Sequence, residues 1–132
     1  MTTLQLSETR WVPIMGDESV VSLLRRSALD RQAQEVFVVL PHRSDLATCG
    51  PIEVHRGQFD RVKLSVPVIL SAVLAAGVDR FSIAHNHPGS DARPSAEDAN
   101  VLAKLSEAAK TVGLELLSSY IITPTDWSRR SA

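Results

Sequence analysis

The chain has 132 residues, of which 44% are hydrophobic and 22% are charged, and its formal net charge is −1. This length and composition predict one soluble domain with its own hydrophobic core. The longest apolar stretch, residues 66–78, is too short to span a bilayer, and the N-terminus lacks the pattern of a signal peptide. A single cysteine, Cys49, excludes an internal disulfide and favours a cytoplasmic location.

The first half of the chain contains four segments with the patterns of helices and strands. In chain order they predict a helix that begins at residues 16–19, strands at 36–40 and 46–54, and a helix at 65–76. The two strands flank a turn at residues 41–45, which predicts an antiparallel hairpin. Pro67 is tolerated in the first turn of the second helix, and Gly77 ends it. His42 in the turn and His55 at a strand end are expected at the surface.

The second half begins with a short apolar strand at residues 80–84. Because residues i and i+2 of a strand point to the same side, His85 and His87 face one way at its C-terminal end. The chain then predicts a helix that ends at Gly113, a last strand after it and a disordered tail at 128–132. The order helix, strand, strand, helix, strand, helix, strand predicts an α/β (α+β) fold with helices flanking the sheet.

The third predicted helix carries an acid on its inner face. Asp98 lies on the same stripe as Val101 and Leu102, so its carboxylate faces the core and requires a partner. Ser95, three residues earlier, gives the spacing of a capping box, and that spacing alone favours a cap over a catalytic role. Two histidines on one face and an inward acid within one short segment instead indicate a metal site. Two imidazole nitrogens and one carboxylate oxygen leave the fourth tetrahedral position of zinc open.

The segment from His85 to Asp98 reads HxHx7SxxD. It resembles the motif of the JAMM (MPN+, or JAB) zinc metalloproteases at every defined position, and the wording HNHPxxxxxPSxxD is similar to the RadC-like branch. Residues 34–40, 54–57 and 114–123 resemble other strands of that branch. One departure is Gly89-Ser90, where the family usually has Ser-Gly. The resemblance implies a single domain at residues 1–127 with the sandwich fold shared by JAMM proteins and cytidine deaminases.

Carried over residue by residue, the resemblance makes His85, His87 and Asp98 the ligands of a zinc ion. Ser95 is then expected to assist the tetrahedral intermediate of hydrolysis as well as to cap the helix. Zinc is favoured by the two nitrogen ligands and one oxygen ligand, while iron, manganese and cobalt are alternatives. The resemblance therefore implies a zinc cofactor at an open, catalytic site.

The family also uses a glutamate from an early strand to take a proton from the attacking water. Glu35 is the candidate because it directly precedes the strand at residues 36–40. The alternatives are that Glu35 is an ordinary acid at an exposed strand end, and that Glu53 on the second strand is the base. The sequence does not decide between the two positions.

The activity implied by the resemblance is zinc-dependent hydrolysis of an amide bond by a metallopeptidase or isopeptidase. In the family such activity is often directed at the tails of ubiquitin-like or sulfur-carrier proteins. One alternative is a DNA-repair-associated protein that acts on or near nucleic acid. The net charge of −1 and the pI of about 6.4 argue against strong DNA binding. Another alternative is a non-catalytic MPN scaffold, but such domains usually lack the ligands that are present here. No membrane interaction is expected.

Overall fold

A five-stranded mixed sheet is the centre of the computed structural model, which describes residues 11–60, 62–89 and 91–132. The strands are β1 (Val36–His42), β2 (Ile52–Arg56), β3 (Arg80–Asn86), β4 (Glu115–Ile122) and β5 (Trp127–Ser131). Their spatial order is β2-β1-β3-β4-β5. Strands β3 and β4 run parallel, and the other neighbours run antiparallel. Residues 1–10, which belong to the predicted domain, lie outside the described residues.

Three helices flank this sheet: α1 (Asp17–Arg26), α2 (Val66–Ala75) and α3 (Ala96–Thr111). A short 3-10 helix, Leu29–Arg31, leads from α1 towards β1. Serine side chains cap the N-termini of α2 and α3, as the two serine positions before the apolar segments indicate. Within the described residues, no helix is both long enough and apolar enough to cross a membrane. The prediction of a mixed sheet flanked by helices is confirmed.

The sheet is covered on both faces, and β1 is buried along its whole length. Helix α1 covers one face, where it packs against alternate residues of β1 that include Val36, Val38 and Leu40. Helices α2 and α3 cover the other face, to which Phe37 and Val39 belong. We call the side with Val36, Val38 and Leu40 the α1 face of the sheet, and the side with Phe37 and Val39 the α2/α3 face. Because side chains alternate along a strand, these residues show to which face each neighbouring side chain points.

The predicted hairpin forms, but its second strand was placed wrongly. Strand β1 continues to His42, and β2 begins only at Ile52. The segment between them is irregular, with positive φ values of 70° at Leu46 and 104° at Gly50, and Thr48 makes only isolated bridges to His42 and Val12. The surface position expected for His42 is also wrong. Its ring is buried, with Nδ1 2.8 Å from the Leu46 carbonyl and Nε2 3.0 Å from Oγ of Ser82.

The prediction of a disordered tail at residues 128–132 is wrong. Residues Trp127–Ser131 form β5, which pairs antiparallel with β4. The side chains of this strand are half-buried or exposed, so they leave no alternating apolar pattern in the sequence. Backbone hydrogen bonds to the edge of the sheet stabilise the segment, and such bonds depend on a partner strand rather than on local composition.

Candidate metal centre

The two histidines of the motif lie at the C-terminal end of β3. His85 belongs to the strand and points to the α2/α3 face, as do Phe81 and Ile83. His87 follows the strand, and its backbone N–H donates to the carbonyl of Ile122 at 3.1 Å, which ties it to the end of β4. Strand β3 and its neighbour β4 therefore fix the backbone of both histidines at one end of the sheet.

Asp98 approaches the same point from the first turn of α3. Nε2 of His85 lies 3.2 Å from Oδ1 of Asp98, and Nε2 of His87 lies 3.3 Å from Oδ2. The two Nε2 atoms are 3.2 Å apart. Zinc bonds of about 2.0–2.1 Å in a tetrahedron place ligand atoms about 3.3–3.4 Å apart. Each Nε2 atom thus lies at about this spacing from the other Nε2 and from one oxygen of Asp98. One ligand atom from each of the three residues lies within 4.8 Å of the others, so the residues are able to hold a metal ion.

Hydrogen bonds hold two of these three side chains in a ligand orientation. Nδ1 of His87 lies 2.9 Å from the carbonyl of Asp91, so Nδ1 carries the proton and Nε2 keeps a free lone pair. Asp98 accepts the backbone N–H of Ser95 at 2.7 Å, and Oγ of Ser95 accepts the N–H of Asp98 at 3.0 Å. The predicted capping box therefore forms, and it orients the same carboxylate that faces the histidines.

Aromatic packing holds the third side chain, His85. Its ring stacks on Phe37 with centroids 5.9 Å apart, and the ring of Phe59 stands edge-on at 5.0 Å. Nδ1 of His85 is buried and has no hydrogen-bond partner among the described residues. The two phenylalanines therefore fix the orientation of the His85 ring, but they do not bind its Nδ1 as the Asp91 carbonyl binds that of His87.

The comparisons with known proteins identify the family of the chain. A family model described as RadC-like JAB domain matches residues 14–130. The chain belongs to this family. A UPF0758 protein of Photorhabdus laumondii is 28% identical to the JAB domain over 109 residues, which cover 83% of this chain and 47% of the relative. A UPF0758 protein of Neisseria meningitidis is 29% identical over 110 residues, covering 83% and 49%.

A third relative, a UPF0758 protein of Acinetobacter baumannii, is 32% identical to the JAB domain over 99 residues. The alignment covers 75% of this chain and 42% of that relative. The chain thus spans less than half the length of the relatives compared here. The RadC-like resemblance carried by the motif is confirmed. The reversed Gly89-Ser90 pair lies partly outside the described residues, because position 90 is not among them.

Electrostatics in the metal centre of the JAB domain favour an ionised acid. Burial acts to raise the pKa of Asp98, but hydrogen bonds and charge from His85 and His87 outweigh it and hold that pKa far below its usual range. The hydrogen bond to Asp98 raises the pKa of His87, and the nearby Glu35 carboxylate adds to this effect. Because a ligand histidine must be neutral, protons compete with metal at His87 as the pH falls.

The two candidate bases lie on opposite faces of the JAB-domain sheet. Glu35 directly precedes β1 and has the parity of Phe37, so it projects to the α2/α3 face beside the metal centre. Glu53 lies opposite Val38 in the β1–β2 pair and therefore projects to the α1 face. Its carboxylate forms an ion pair of 2.7 Å with Arg56. The structure brings Glu35, and not Glu53, to the face of the histidines.

Two residues near the centre were missed by the sequence analysis. Phe59 lies in the loop after β2, and nothing in the local sequence indicates that it reaches the histidines. Asn86 stands between the two histidines, and strand alternation places its side chain on the α1 face. A polar residue whose parity points it into an apolar layer was a signal that could have been used.

Proposed function

We propose that this JAB domain is a zinc-dependent hydrolase that cleaves amide bonds in peptide or protein-tail substrates. The observation that supports it most strongly is the set of donor-atom separations of 3.2–3.3 Å among His85, His87 and Asp98. When bound there, a zinc ion supplies a Lewis acid that polarises a carbonyl and brings the pKa of coordinated water to about 7. Three protein ligands leave room for this chemistry, whereas a structural zinc site uses four.

The residues around the centre have the properties that hydrolysis requires. We assign to the carboxylate of Glu35 the acceptance of a proton from the attacking water and its delivery to the leaving amine nitrogen. Its position on the face of the histidines supports this role. Ser95 is exposed, and its oxygen already accepts a hydrogen bond from the N–H of Asp98, so its own proton is free to donate. We assign that hydroxyl to the oxyanion that forms on the substrate carbonyl.

Burial suggests the side from which a substrate approaches. The side chain of His85 is 3% exposed and that of Asp98 is 11% exposed, whereas that of His87 is 22% exposed. The centre is therefore most exposed at His87, and Ser95, which is bonded to Asp98, is exposed as well. A peptide segment or protein tail that enters there presents its carbonyl to the exposed side of the centre. The net charge of −1 fits a protein substrate better than DNA, which requires clustered cations.

The deciding experiment compares Glu35→Gln with Glu53→Gln in the zinc-loaded protein. Both substitutions preserve shape and remove one carboxylate, but only Glu35 lies on the face of the centre. Cleavage is measured on a library of internally quenched peptides, and zinc content is measured on the same samples. We expect Glu35→Gln to keep its zinc and to lose roughly 10²- to 10⁴-fold in turnover. We expect Glu53→Gln to keep both.

Each of the other outcomes has a definite meaning. Wild-type turnover in Glu35→Gln removes Glu35 from the mechanism, and an inactive Glu53→Gln moves the base to the second strand. A zinc-loaded wild-type protein that cleaves no peptide of the library contradicts the proposed activity. Zinc content separates these results from a simple loss of metal.

A further inference from the structure

We infer that Asn86 is a positioning residue that fixes Glu35 relative to the two histidines. This inference rests on the proposed function, since it gives Asn86 its importance through Glu35. Asn86 lies between His85 and His87 in the chain but points to the opposite face of the sheet. Its side chain makes no contact with the metal centre and acts through the backbone that carries Glu35.

The side chain of Asn86 is fully buried, with 0% exposure, and uses its whole amide group. Oδ1 accepts the backbone N–H of Val36 at 2.7 Å. Nδ2 donates to the carbonyl of Gln34 at 2.9 Å and to that of Gln32 at 3.3 Å. One side chain therefore holds the residues on both sides of Glu35.

These bonds replace backbone pairing at the place where it stops. The β1–β3 ladder runs up to the pair of Phe37 and His85, and the segment before Phe37 has no further partner on β3 in that register. The amide of Asn86 continues the connection by side-chain bonds. On the other side of the segment, the carbonyl of Glu35 accepts the N–H of Gly57 at 2.7 Å. The backbone of Glu35 is thus held between Asn86 and the end of β2.

These hydrogen bonds connect the backbone at Glu35 to the backbone at His85 and His87 through one side chain. Asn86 shares peptide bonds with both His85 and His87, so its side chain joins the backbone of the ligands directly to that of Glu35. A polar side chain buried only for stability affects folding, but it does not change the chemistry of the centre in a way that depends on Glu35. Dependence on Glu35 is therefore the property to test.

The experiment uses cobalt(II) as a coloured probe in the full chain. The pH dependence of its visible absorption is recorded for wild type, Glu35→Gln, Asn86→Ala, the double variant and Ser82→Ala. Ser82 is the matched control, because it is a buried, hydrogen-bonded polar residue of β3 near the far end of the strand. Urea unfolding of each variant reports its stability.

We expect Asn86→Ala to move the midpoint of the pH profile in the same direction as Glu35→Gln, by at least half as much. In the Glu35→Gln background the second substitution should add nothing, because the residue that Asn86 positions is already neutral. Cobalt affinity should stay within roughly tenfold of wild type, the lower range for residues outside the ligand set. Ser82→Ala should lose stability and keep the wild-type profile.

A second readout needs no metal. Amide hydrogen exchange at Val36, whose N–H donates to Asn86, should become at least roughly tenfold faster in Asn86→Ala than in wild type, beyond any change in global stability. If Asn86→Ala does not fold, Asn86→Ser replaces it in both experiments, since its hydroxyl is too short to bridge three backbone groups.

The inference about Asn86 is overturned if Glu35→Gln moves the midpoint and the Asn86 variant does not. It is also overturned if the two effects are additive, or if exchange at Val36 is unchanged. Failure of the proposed function looks different. In that case the wild-type protein binds no cobalt, or its pH profile is the same with and without the Glu35→Gln substitution. The exchange experiment still decides whether Asn86 holds the backbone on both sides of Glu35.

Discussion

At the residue scale, the carboxylate of Asp98 caps helix α3 and is also able to act as a metal ligand. One carboxylate has two oxygens and about four lone-pair positions, which is enough for the Ser95 N–H and for one ligand bond. The capping bond is short, at 2.7 Å, and it fixes the direction of the second oxygen. Hydrogen bonds of this kind are how proteins orient metal ligands. The acid of the centre is therefore held by the element that supplies it.

The ring of Phe59 gives a test of how His85 is held. Its edge lies against His85, whose Nδ1 lacks a hydrogen-bond partner within the described ranges. We expect Phe59→Ala to weaken zinc binding by roughly tenfold, as the loss of a supporting interaction does at other metal sites. Affinity is measured by competition with a chromophoric chelator. Phe59→Tyr keeps the ring and is expected to bind zinc as wild type does, and equal affinity in both variants would show that the ring has no such role.

The buried His42 predicts how stability depends on pH. Burial lowers the pKa of His42 in the folded protein from its ordinary value of 6.5. Just below pH 6.5, His42 is therefore more protonated in the unfolded chain than in the folded protein. The contribution of His42 to the free energy of unfolding is fully present above pH 6.5. It is lost as the pH falls from 6.5 through the lower pKa of His42 in the folded state. We expect the free energy of unfolding to fall less steeply below pH 6.5 in His42→Gln than in wild type. Identical slopes in urea titrations of the two proteins would contradict the assignment.

At the scale of elements, the two serine caps provide a matched pair. Ser65 caps α2 and Ser95 caps α3, but only Ser95 lies at the metal centre. We expect Ser65→Ala and Ser95→Ala each to cost about 1 kcal/mol in the free energy of unfolding. Only Ser95→Ala should also lower turnover per folded molecule, with zinc still bound. If turnover falls equally in both variants or in neither, Ser95 is only a cap.

The elements that the sequence predicted well are those in which burial leaves a visible pattern of apolar and polar side chains. Helix α3 shows its apolar stripe directly, and β3 is apolar between turn residues. The sequence failed where the backbone decides. Strand β5 is held by pairing with β4, and the chain after His42 turns through positive φ values at Leu46 and Gly50. Neither feature leaves a hydrophobic pattern.

At the scale of the whole molecule, the centre lies where three elements meet on one face of the sheet. These are the end of β3, the first turn of α3 and the start of β1. That His85, His87 and Asp98 come together was predictable because they lie within one short segment, whose strand and helix periodicities both point inward. Glu35 required a family resemblance, since it is distant in sequence. The parts played by Phe59 and Asn86 depend on contacts between elements, which only the fold reveals.

Metal analysis tests the central claim most directly. The purified protein, dialysed against zinc and then against buffer, should retain close to one zinc ion per chain, because His85, His87 and Asp98 bring one ligand atom each to within 4.8 Å of the others. His85→Ala, His87→Ala and Asp98→Ala should each lose it, while Glu53→Gln, on the other face, should keep it. A wild-type protein that takes up no divalent metal would contradict the account, and so would full zinc occupancy after both histidines are replaced.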